Sequence, residues 1–279
     1  MSVTVPIIEW AGLIPVLIIL GAGVLGVLVE AFAPRGGRLQ VQAVLSAVAI
    51  LASGTAFVLR WSQVLPQDAG TGRIRPSGRV LAAGISEDPF GVAAQGIVLL
   101  IGLLAVLIMA DRTTAGDGAF AAQAADRPGS AEETESLHRG WTATEVFPLM
   151  LFSLAGMMLF PMVNDLIALF VVLELVSLPL YIMAATARHR RLLSQEAALK
   201  YFVLGAFASA FLLLGSAFLY GLSGSVSYTR VADALAVGGA IDVIDMDWLG
   251  LAGVVLVTVG LLFKTAAAPF HAWSPDVYQ

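Results

Sequence analysis

The chain has 279 residues, of which 58% are hydrophobic and only 13% charged, and its mean hydropathy is +0.88. A soluble domain of this size carries about a quarter charged residues, so the composition excludes a water-soluble fold and implies an integral membrane protein. The net charge of -5 says little, because the acidic residues crowd into a few loops, and the absence of cysteine excludes disulfides, thiolate zinc sites and cysteine-held iron–sulfur clusters.

Seven apolar stretches reach the length needed to cross a bilayer. They are predicted, in chain order, at residues 7–31, 41–61, 90–110, 146–162, 166–187, 197–222 and 249–270. All should be helices, because an open strand leaves backbone polar groups unsatisfied in lipid. The first ten residues have no basic run and contain Glu9, so the first stretch reads as a membrane helix and not as a cleavable signal. Residues 21–26, GAGVLG, match the G-x-G-x-x-G dinucleotide fingerprint. That motif needs a strand turning into a helix, with an acidic residue about 20 positions on. Neither is present, so these glycines are read as helix-packing residues.

Three units follow: leading helices over 1–110, a cytoplasmic loop over 111–144, and four further helices over 145–279. The loop is rich in Ala, Gly, Asp and Glu with few large apolar groups, and is expected to be mobile. A second connection, 223–247, holds Asp233, Asp242, Asp245 and Asp247 and is expected to be a solvated external loop. Arg35, Arg38, Arg112, Arg127, Arg139, Arg188, Arg190 and Arg191 share one side, against Arg73, Arg75, Arg79 and Arg230 on the other, with Arg60 at a helix end. The richer side should be cytoplasmic, which places the N-terminus outside.

Charges inside apolar helices are expensive, by at least about 2.5–3.5 kcal/mol at the bilayer centre, and mark function by default. Glu174 lies eight residues into its stretch, about 12 Å along the helix. Lys264, one of only two lysines, lies in the last stretch and precedes Pro269 and His271. Proline lacks an N–H and clashes with the carbonyl four residues earlier. Breaks are therefore expected at Pro269, against Thr265, and at Pro179, against Leu175. Opposite charges each followed five residues later by proline fit a hydrated polar axis, although a structural ion pair, or a neutral Glu174 hydrogen-bonded to a neighbouring helix, explains the buried carboxyl group as well.

Lys200, the other lysine, has two readings. It follows Glu196 by four residues, the favourable order for a helical ion pair, and it lies near the predicted helix start, where a lysine can snorkel. It could equally serve a proton path. His271 likewise has two readings, a relay with a suitable titration range and a cap on loose backbone at the helix break. The three histidines, His138, His189 and His271, lie in unrelated contexts and do not make a metal site.

Three segments, LELVSLPLY at 173–181, ALKYFVLG at 198–205, and FK at 263–264 followed by PFHAWSPDVYQ at 269–279, resemble the antiporter-like subunits of respiratory complex I. The second and third are most similar to subunit N of bacterial NADH–quinone oxidoreductase. The resemblance implies an all-α polytopic bundle with inverted five-helix repeats and broken helices, the first repeat only partly present here. It implies that Glu174, Lys264 and Lys200 carry protons, with His271 beside them. It further implies a bacterial inner-membrane location, other membrane subunits of the complex as partners, and no cofactor in this chain. NADH, flavin, iron–sulfur clusters and quinone would belong to partner subunits, and no nucleic acid is involved. Because the matched motif stops at Gln279, a partial chain is expected. Three alternatives stand beside this: a sodium/proton antiporter subunit of the same fold, a small-solute transporter, and a non-conducting scaffold.

Overall fold

The computed structural model describes residues 8–64, 79–111, 120, 126, 129–139, 143–187, 191–237 and 248–278. His189, Arg73, Arg75, Arg112, Arg127, Arg188, Arg190, Asp242, Asp245, Asp247 and Gln279, which carried expectations above, lie outside the described residues.

The elements are α1 (Trp10–Phe32), a 3-10 turn (Arg35–Gly37), α2 (Arg38–Val64), β1 (Arg79–Ala82), β2 (Ile85–Glu87), α3 (Pro89–Ala110), α4 (Ala131–His138), α5 (Val146–Leu159) with a 3-10 turn (Phe160–Met162), α6 (Leu166–Thr186), α7 (Arg191–Ser223), α8 (Tyr228–Val237), α9 (Trp248–Lys264) and α10 (Ser274–Tyr278). Five of these spans are long and apolar enough to cross a membrane, and Val146–Met162 and Trp248–Lys264 are shorter apolar helices. All seven predicted spans are therefore helical over most of their length. Two starts are marked by side chains: the carboxylates of Asp88 and Asp165 each accept a 2.6 Å bond, from the N–H of Gly91 and of Ala168.

The helices form two packed groups. In the first, α1, α2 and α3 surround α5, whose Phe147, Leu151, Leu154, Ala155 and Met158 are buried together with Ile19 of α1. In the second, α6, α7 and α9 pack through Leu169, Leu173 and Leu212 on one level and through Tyr181, Tyr201, Phe263 and Trp273 on another. Helices α7 and α9 touch backbone to backbone at glycines. A Cβ on Gly215 would lie 2.7 Å from the carbonyl oxygen of Gly253, and one on Gly260 would lie 2.8 Å from that of Ala208. Small residues let helix backbones approach in this way where lipid gives no hydrophobic drive.

Four expectations need correction, and one element, a hairpin, has no counterpart among them. The last stretch, predicted to run to Phe270, is helical only to Lys264, and the helix predicted from 197 starts at Arg191. Residues 131–138 of the predicted loop form α4. Ser130 Oγ accepts from the Glu133 N–H at 3.2 Å and Glu133 accepts from the Gly129 N–H at 2.7 Å, so an S-x-x-E cap organises the helix start. In the second connection, 228–237 form α8, which buries Val231 against Leu166 and Leu219. Finally, residues 79–87 form a two-stranded antiparallel hairpin, pairing Arg79 with Glu87 and Val80 with Ser86, and turning at Gly84 with φ 77°. Strands this short give no periodicity to read. The hairpin is held from several sides. Leu81 is fully buried and its carbonyl accepts from Glu9, the Gly84 carbonyl accepts from Asn164, and Glu87 pairs with Arg60.

Candidate functional site

Glu174, Ser177 and Tyr181 follow one another on α6 at spacings of three and four, which places them on one helix face. Lys264 is the last residue of α9. Its Nζ donates to Ser177 Oγ at 2.8 Å, while Ser177 donates its own proton to the Leu173 carbonyl at 2.6 Å. A hydroxyl has one donor and two acceptor positions, so both bonds are compatible. Ser209 of α7 donates to Glu174 Oε1. Lys264 Nζ also lies 6.0 Å from the ring centroids of Tyr181 and Phe263, within the range of cation–π attraction. The Tyr181 hydroxyl is buried beside this cluster, next to Ser177.

Glu174 and Lys264 are thus brought to one place, but among the described residues no ion pair joins them. Ser177, one turn along α6 from Glu174, takes the lysine. The sequence reading overlooked Ser177 and Ser209. Ser177 could have been found by its spacing of three from Glu174, whereas only packing identifies Ser209, which lies 35 residues away.

The helix break is beside Lys264, as expected, but Pro269 does not make it. Ala267 N–H bonds the Leu262 carbonyl and Ala266 N–H bonds the Phe263 carbonyl, both at 3.0 Å, with Ala266 left-handed at φ 51°. This is a Schellman cap, with alanine where glycine is usual. The helix has therefore ended before the chain reaches Pro269, whose peptide bond is cis. Pro179 does not break α6 either. The helix runs unbroken from Leu166 to Thr186 with Pro179 buried inside it, because neighbouring helices can hold a proline that removes only one backbone bond.

Lys200 sits nine residues into α7, not near its start as predicted. It keeps the expected bond to Glu196 Oε1, at 2.8 Å, and makes a second one at 2.7 Å to Asp276 Oδ2. Its side chain is about half exposed, at 47%. The His271 ring is exposed and bonded to none of these groups, and its backbone carbonyl accepts from the Ser274 N–H at 3.0 Å. The structure therefore separates Lys200 and His271 from the Glu174–Ser177–Lys264 cluster. Among the described residues, no group of three or more His, Cys, Asp and Glu side chains is arranged to hold a metal ion.

Residues 163–279 match the family described as NADH:quinone oxidoreductase/Mrp antiporter, transmembrane. A curated relative from Beutenbergia cavernae, named NADH-quinone oxidoreductase subunit N, is 48% identical over the whole of this chain and 51% of its own length. A chain of respiratory complex I from Thermus thermophilus, solved with bound aureothin, superposes with a TM-score of 0.63 at 28% identity, over 95% of this chain and 47% of that one. A chain of the Mrp complex from a Dietzia species shares the fold, with a TM-score of 0.64 at 20% identity, over 95% of this chain and 43% of its own. The chain spans about half the length of the curated relatives it matches. With seven apolar helices among the described residues, a partly buried Glu–Ser–Lys cluster and a helix that ends at its lysine, the chain matches the NADH:quinone oxidoreductase/Mrp antiporter family over residues 163–279 and is similar throughout its length to curated proteins named subunit N.

Proposed function

We propose that this chain belongs to the proton-translocating membrane subunit of a NADH–quinone oxidoreductase, and that Lys264, Ser177 and Glu174 carry the proton. The observation that supports this is the Lys264 ammonium at the end of an interrupted helix, held by a serine one turn from a half-buried carboxylate. Ser177 both accepts and donates. Turning its proton from Leu173 towards Glu174 would connect ammonium to carboxylate through a single hydroxyl. Ser209 steadies the carboxylate from α7. No bond other than those to hydrogen is made or broken.

The driving reaction, quinone reduction by NADH, would take place in partner subunits that carry the flavin and iron–sulfur clusters. This chain has no cysteine with which to hold a cluster. Other membrane subunits of the complex would be its neighbours, in a bacterial inner membrane with the N-terminus outside the cytoplasm. His271 stands at the break as a group that could pass protons to water, without contacting Lys264.

Replacing Lys264 by alanine in the assembled complex tests the reading. The rate of proton uptake during quinone reduction should fall by about tenfold or more if the step through this subunit limits it, since roughly 1.4 kcal/mol of lost barrier lowering is a factor of about ten in rate. Undiminished uptake with the complex intact would remove Lys264 from the path.

A further inference from the structure

Beyond the helix break, residues 265–278 fold back against α7 and the end of α9. Three contacts hold them there. Trp273 Nε1 donates to the Phe263 carbonyl at 3.1 Å, the residue next to Lys264. The Trp273 ring stacks on Tyr201, with centroids 4.4 Å apart and planes 15° from parallel. Asp276 accepts from Lys200, the residue next to Tyr201, at 2.7 Å. Tyr201 in turn meets Tyr181 edge-on at 4.5 Å, and Tyr181 lies beside Lys264. A continuous line of contacts therefore runs from Lys200 through the folded-back segment to the backbone at Lys264.

We propose that Lys200 and Asp276 form a charge clamp that seats the segment after the break, and that Lys200 is a positioning residue for Lys264, not a stop on the proton path. The proposal rests on the reading that Lys264 carries the proton. Glu196 has a different part: it lies one turn before Lys200 on α7 and bonds it, and among the described residues it makes no hydrogen bond or ion pair to residues 265–278. The clamp works by charge and reach, so arginine can replace lysine in it. Arginine holds its proton at all working pH values and cannot pass one on. A carrier and a clamp therefore respond oppositely to the same substitution.

The test uses the full subunit in its purified complex. Lys200→Gln, Lys200→Arg, Asp276→Asn, Asp276→Glu and Glu196→Gln are each combined with a reporter, Ala272→Cys, on the exposed turn. Two quantities are read: the rate of labelling by a water-soluble maleimide, and protons taken up per quinone reduced. Lys200→Gln and Asp276→Asn should speed labelling on the order of threefold, the scale of one ion pair at a surface, and lower proton uptake. Lys200→Arg, Asp276→Glu and Glu196→Gln should label and pump as the parent does. Labelling at the parent rate in Lys200→Gln overturns the clamp, and loss of uptake in Lys200→Arg with unchanged labelling makes Lys200 a carrier. The clamp pattern of labelling, together with full uptake in Lys264→Ala, would leave the clamp standing and refute the proton path through Lys264.

Discussion

At the scale of single residues, the informative group is Ser177. A lysine ammonium and a glutamate carboxylate in direct contact would hold each other in a tight pair, and a proton would have little reason to move. A hydroxyl that takes the lysine in place of the carboxylate satisfies the ammonium without locking it to Glu174. Ser177→Ala leaves the Lys264 ammonium without that acceptor. A hydrogen bond to a charged group is worth about 1.5–3 kcal/mol, so the rate of proton uptake during quinone reduction should drop by roughly tenfold or more. Ser177→Thr retains the hydroxyl and should retain most of the uptake. Equal uptake in the alanine and threonine variants would show that the hydroxyl is not used.

At the scale of elements, the end of α9 decides where Lys264 sits. The cap that stops the helix uses Ala266 in the left-handed region, which costs a residue with a Cβ about 1–2 kcal/mol. Ala266→Gly should relieve about 1 kcal/mol, and the β-branched Ala266→Val should cost about 1–2 kcal/mol more. Half-lives for thermal inactivation of the complex should rank Gly, Ala, Val from longest to shortest, and any other order would dissociate the cap from stability. The same helix is positioned along its length by the glycine contacts with α7. Pro179 and Pro269 were legible as residues, yet neither ends a helix. Whether a proline interrupts a helix depends on what packs around it and on whether the helix has already stopped.

At the scale of the whole molecule, the hairpin joins parts distant in sequence. It touches the start of α1 through Glu9, the end of α2 through Arg60, and the turn before α6 through Asn164. The Arg60 and Glu87 side chains are only 11% and 2% exposed. Breaking a buried pair by removing one partner costs about 3–5 kcal/mol, whereas replacing both with apolar residues is often neutral. Arg60→Met should therefore sharply reduce the yield of assembled complex, and Arg60→Met with Glu87→Met should restore most of it. Equal yields from the two would show that the pair is not holding the hairpin. The seven apolar helices among the described residues and the exceptional charges at Glu174 and Lys264 were readable from the amino-acid sequence, because lipid responds to the length of an apolar run and to any charge within it. Both properties are local. The partners of those charges were not readable. Lys264 meets Ser177 across 87 residues and Lys200 meets Asp276 across 76, and such pairs form only when helix packing fixes which faces meet. The sequence by itself determined a membrane bundle with a lysine before a break, and the tertiary structure decided that a serine receives that lysine and that the second lysine holds the returning chain.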